Sequence, residues 1–137
     1  MRESRIKTMV GLFLVISHFI VILLVIFFYF RHGFLFDEMT TTEALIVPMF
    51  AGNTTLTVSW IIATRKEQPV EDKVLSGAFT FLSFFFPVVF TVYVALVVCL
   101  KAFNVIEDLE KFKAMLGLGE TFFAVYVGMF AKSLFDT

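Results

Sequence analysis

Three polar side chains, His18, Asn53 and Glu120, interrupt apolar runs long enough to cross a bilayer. A carboxylate and an imidazole can exchange a proton, and ionisable groups at membrane depth mark relays and ion paths by default. Asn53 sits in "AGNTTLTVSW", where it is either a polar partner at depth or a side chain that bonds a neighbouring helix and nothing more. Glu120 sits in "GLGETFFAVYVGMF" and is the costliest of the three, because an unsatisfied polar group in hydrocarbon costs several kcal/mol. The three residues fall at similar depths in their runs. The expectation is that Glu120 faces a bundle interior or a pore, never lipid, and pairs with His18 or Asn53.

Two further patterns have helical spacing. Ser76, Thr80, Ser83, Pro87 and Thr91 follow steps of four, three, four and four, with phenylalanines covering the other faces. Pro87 has no N–H to give the carbonyl of Ser83, so a backbone acceptor is freed on the same stripe. The stripe is a candidate pore lining; the alternative is close helix packing through small side chains. Gly117, Thr121, Ala124, Gly128 and Ala131 recur at four, three, four and three. They form a candidate packing seam, whose neighbour is either the same subunit or another copy.

Other chemistries are excluded by what is missing. No nucleophile–base–orienter set is visible, so an enzyme is not expected. The single cysteine, Cys99, rules out an intrachain disulfide and a cysteine-based zinc site, and two histidines far apart make no metal cluster. No cofactor is expected. A net charge of −1 provides no basic face for nucleic acid.

The elements that must position these residues are membrane helices. The chain is 59% hydrophobic and 17% charged, with 20 phenylalanines in 137 residues, more apolar area than a soluble core of this size can hide. We read an all-α membrane protein, a single polytopic domain of residues 1–137, with four helices in an antiparallel bundle. The spans are about 8–30, 41–64, 74–100 and 112–135. The run after "MRESRIK" is too long for a signal peptide, so span one is a retained anchor. Thr40 and Glu43 have capping-box spacing and place the start of span two, with Pro48 near that start and Trp60 as an interface anchor. Asn104 and Glu107 repeat the spacing, so the last helix begins near Val105. Its charged amphipathic opening, "VIEDLEKFKAML", extends it outside the bilayer.

Arg2, Arg5 and Lys7 before span one, and Arg65, Lys66 and Lys73 after span two, set the N-terminus in the cytoplasm. Lys101, Lys111 and Lys113 then fall outside, against the rule. The runner-up arrangement is three spans plus a surface helix. An inner or plasma membrane is the expected location.

The chain departs from two small four-span families. Small multidrug exporters carry a glutamate in the first helix, where this chain has His18 and no acid. "AGN" and "FTFLSFF" loosely resemble the asparagine and phenylalanine stretches of fluoride channels, but that family's arginine-bearing first helix and glycine-rich break are absent. The architecture, several spans and no enzymatic head, is similar to membrane effectors of bacterial antiviral defence systems. Three functions are therefore weighed: an ion-conducting homo-oligomer, a proton-coupled transporter using Glu120 and His18, and a non-enzymatic subunit of a larger complex. The expected partners are the lipid bilayer, further copies of the chain, and an ion or small solute.

Overall fold

The computed structural model describes residues 3–64, 76–126 and 128–129, with backbone alone at 53, 56, 60, 61, 63 and 64. These residues form four helices: α1 Glu3–Phe30, α2 Phe36–Thr64, α3 Gly77–Ala102 and α4 Leu109–Tyr126. No strand occurs among them. Two of the helices, α1 and α3, are long and apolar enough to cross a membrane.

Local chemistry sets the ends. α1 stops in a Schellman motif: His32 takes φ 59°, Gly33 N–H donates to Phe28 O at 2.8 Å, and His32 N–H to Tyr29 O at 3.0 Å. α3 stops in the same way, with Asn104 at φ 57°, Val105 N–H on Leu100 O at 2.9 Å and Asn104 N–H on Lys101 O at 3.0 Å. Asn104 is therefore the terminator of α3 and not the cap of α4. Asp108 takes the capping role, accepting Glu110 N–H at 2.9 Å, so α4 begins at Leu109 and not near Val105.

The start of α2 is also corrected. Glu38 reaches back to Leu35 N–H at 3.0 Å, the carboxylate half of a capping box, and the helix begins at Phe36. Thr40 and Glu43 then lie inside the helix, and Thr40 only donates to Asp37 O at 3.1 Å. Pro48 consequently sits about three turns in, deeper than the spacing implied. Ser76 caps α3, its Oγ accepting Phe79 N–H at 3.2 Å; the expected start at Val74 lies outside the described residues.

α1 packs on α2 and α3, and α4 packs on α3 and more thinly on α2. Around the bundle the order is α1, α2, α4, α3, so α1 and α4 occupy opposite corners. Glycines on and just after α1 permit close contacts: a β-carbon at Gly11 would collide with Thr57, and one at Gly33 would come within 2.9 Å of Ala102 O. The core is mostly valine, leucine, isoleucine and phenylalanine from all four helices. Outside it runs a belt of exposed apolar side chains, among them Ile16, Phe19, Leu23, Phe81, Val92 and Phe122. An exposed surface of this kind marks contact with lipid or protein.

Candidate functional site

The middle of the bundle is built from rings. The His18 imidazole stacks on Phe50 (centroids 5.2 Å apart, 13° between planes), and Phe50 meets Phe90 at 5.2 Å. Phe90 stacks on Phe123 at 3.9 Å and 7°, and Phe123 continues to Tyr126 at 5.4 Å. Each helix contributes one ring to the His18–Phe50–Phe90–Phe123 layer. The centre of the single chain is thus filled by aromatic surface.

His18 finds its partner on α2. Its Nδ1 lies 3.3 Å from Thr54 Oγ1, while Nε2 is buried with no hydrogen-bond partner among the described residues. The expected pairing with Glu120 does not occur, because α1 and α4 stand at opposite corners. Glu120 is exposed on α4, outside the bundle interior where it was expected, and no described residue pairs with it. Asn53 lies in α2 with its side chain outside the described residues, as does that of Trp60. Arg2, Arg65, Lys66, Lys73 and Ala131 are outside them entirely.

The hydroxyl stripe on α3 is occupied by its own helix. Thr80 donates to Ser76 O at 3.1 Å, Ser83 to Phe79 O at 2.8 Å and Thr91 to Pro87 O at 2.8 Å. Ser83 and Pro87 are buried, Thr80 and Thr91 half-buried, and Ser76 is an exposed cap. The carbonyl that Pro87 releases at Ser83 does exist as an acceptor, and Tyr126 OH donates to it at 3.3 Å. This bond ties α4 to α3.

The small-residue seam faces away from the bundle. Thr121, Ala124 and Gly128 are exposed and Gly117 half-buried; a β-carbon at Gly117 or Gly128 would meet nothing within 4 Å. The glycine that packs is Gly119, which the seam leaves out: a β-carbon there would come within 2.6 Å of Tyr93 Cε1. Tyr93 OH in turn donates to Met115 O at 2.8 Å. A cleft of about 250 Å³ opens beside this contact between α3 and α4, lined by residues such as Val89, Leu118 and Phe122. With ~100° between successive residues, Glu120 lies on the opposite flank of α4 from Leu118 and Phe122.

One group of charges was not legible in the sequence. Lys101 Nζ, buried at the end of α3, lies 2.7 Å from Glu38 Oε1 on α2 and donates to Glu107 O at 3.1 Å. Glu38 also holds Leu35 N–H. One ion pair therefore braces the turn after α1 against the turn after α3. Burial pushes the Glu38 carboxyl up. The Leu35 N–H, with the hydrogen bond and charge of Lys101, outweighs that and leaves it below its ordinary value. The clue available in sequence was a lysine closing a long apolar run, but nothing there named its partner. At the other end of the bundle Lys7, also buried, pairs with Glu3 at 3.0 Å.

These pairs bracket the ring layer evenly. Lys7 lies eleven residues before His18 and Lys101 eleven after Phe90, each roughly 16 Å along its helix. Between those levels, among the described residues, the only carboxylates are Glu43 and Glu120. Glu120 is three residues from Phe123, about 4.5 Å from the ring layer. Comparison of the chain with protein-family models, with curated proteins and with solved structures finds no match.

Proposed function

We propose that the protein is a four-span integral membrane protein whose copies assemble into an ion-conducting channel, with the pathway between copies and not through any one of them. The observation that carries this reading is the position of Glu120: near mid-depth, on the outer face of α4, with no partner among the described residues, while rings fill the bundle axis. The supporting distances are those of a bilayer. The charged pairs at the two ends are separated by roughly 33 Å along the helices, and a hydrocarbon core is about 30 Å thick. The exposed apolar belt lies between them.

A carboxylate about 10 Å below the hydrocarbon edge is too deep for a glutamate side chain to reach headgroups. Its remaining options are water, a cation or a polar group of another subunit. Gly117, Thr121, Ala124 and Gly128 make the adjoining face flat, which lets a second helix approach closely. The α3 stripe then serves packing within the subunit, and the α4 face takes over the candidate pathway. A proton relay from Glu120 to His18 within one chain is disfavoured, because the two lie at opposite corners of the bundle.

With the N-terminus in the cytoplasm, the Glu38–Lys101 brace is on the outer side. Pairing of Lys101 with Glu38, and of Lys113 with Glu110 at 2.7 Å, neutralises two of the three lysines that ran against the positive-inside rule. An inner or plasma membrane fits this orientation. Membership of an antiviral defence system rests on architecture alone.

The test uses protein reconstituted in planar bilayers. A single cysteine at Ala124, in a Cys99→Ala background, should form an intermolecular disulfide. The reconstituted protein should pass current, and Glu120→Gln should reduce that current at least tenfold with cross-linking retained. Absence of both cross-linking and current sinks the reading; current unchanged by Glu120→Gln places the pathway elsewhere.

A further inference from the structure

Glu43 is the second carboxylate between the charged ends, and nothing in the proposed pathway uses it. Its surroundings follow from seven-residue spacing. Stepping seven residues from each ring of the central layer, towards the Lys101 end, leads from His18 to Val25, from Phe90 to Val97 and from Phe123 to Leu116. All three are fully buried. The same step from Phe50 leads to Glu43, roughly 10 Å above the ring layer. The layer is three aliphatic side chains and one carboxyl.

Glu43 is half-buried, and one oxygen of its carboxyl is shut off from the surface. Glu43 Oε1 is one of three buried side-chain atoms among the described residues that have no hydrogen-bond partner; the others are His18 Nε2 and Thr57 Oγ1. The charged groups nearest in level are already engaged. Above it on α2 and α3, Glu38 and Lys101 hold each other at 2.7 Å. On α4, Lys113 is paired with Glu110 on the surface. On α1 its level carries Val25, with Val21 one turn below and the half-buried Tyr29 one turn above, and the next ionisable group below is His18, which bonds Thr54. Among the described residues no cation pairs with the buried oxygen, and a buried charge without one neutralises by taking up a proton.

We propose that Glu43 is a proton-binding site inside the bundle, occupied at neutral pH. The proton comes from water at the Lys101 end and sits on a carboxyl oxygen, leaving a neutral acid among Val25, Val97 and Leu116. Loss of that proton places a charge in an aliphatic layer. The layer then admits water, which loosens the outer half of α2 against α1 and α4. Cys99, half-buried on α3 two residues from Val97, reports the entry of water into the layer. This inference stands on the packing of one chain and is independent of the channel.

Infrared difference spectroscopy of the purified full-length protein at pH 7 tests it directly. The carbonyl stretch of a protonated carboxylic acid should be present in the wild type, absent in Glu43→Gln and retained in Glu120→Gln. Labelling of Cys99 by a small neutral maleimide gives a second readout, taken as the wild-type rate divided by that of Glu43→Gln to cancel thiolate chemistry. That ratio should rise at least fivefold between pH 7 and pH 10. A band that survives Glu43→Gln, a band lost in Glu120→Gln instead, or a flat labelling ratio overturns the proposal.

Discussion

Replacing Lys101 by methionine removes one charge and keeps most of the aliphatic stem that packs at the end of α3. Lys101 is 3% exposed, and the Glu38 side chain it faces is 20% exposed. Stripping one partner from a fully buried pair costs about 3 to 5 kcal/mol. Glu38 keeps some access to water and retains Leu35 N–H, so the expected loss falls just below that range, about 2 to 3 kcal/mol. Glu107 O also loses its donor.

The pair has a definite pH signature. The Glu38 carboxyl is held below its ordinary value in the folded protein, so the folded state binds fewer protons than the unfolded one. The stabilisation is complete above the unfolded carboxylate range, about pH 4.3, and is lost as the pH falls through the lower folded value. Thermal unfolding followed by circular dichroism in detergent should show a wild-type midpoint that drops on acidification below about pH 4. In Lys101→Met the midpoint should start lower at pH 7 and lose that acid-dependent step. A double-mutant cycle with Glu38→Gln should return a coupling of at least ~1 kcal/mol. A Lys101→Met stability within ~0.5 kcal/mol of wild type would show that the brace does not stabilise the fold.

Gly119→Ala puts a methyl group within 2.6 Å of Tyr93, and overpacking of this kind should cost about 1 to 3 kcal/mol, whereas Gly117→Ala, which meets open space, should be neutral or stabilising in the same assay. Asn104→Ala places a β-branchless but non-amide side chain at φ 57° and should lose about 1 kcal/mol, while Asn104→Gly should not; denaturant midpoints compare the two. For topology, single cysteines at His32 and Gln68 in a Cys99→Ala background should react with an impermeant thiol reagent from opposite sides of a sealed vesicle. Reaction of both from one side would break the span assignment.

The sequence was sufficient for whatever depends on neighbours along the chain. Apolar length and the scarcity of charge gave four helical segments, and two of the observed helices meet the length and apolarity needed to cross a membrane. The backbone acceptor freed by Pro87 was also legible, because losing one N–H is a local event. Caps were read less well: Thr40–Glu43 and Asn104–Glu107 have the right spacing, but Glu38 and Asp108 occupy the helix starts. A four-residue pattern cannot tell a cap from a terminator when Asn favours both roles. Tertiary structure alone decided which helices are neighbours. Seating α1 and α4 at opposite corners separated His18 from Glu120, and the packed structure turned the small-residue seam outward and left Gly119 as the α4 glycine that packs. Depth can be counted in residues along one helix, but the direction a side chain faces depends on helices distant in the chain. For that reason Glu120 could be placed by level and not by face, and the partner of Lys101 was found only in the folded bundle.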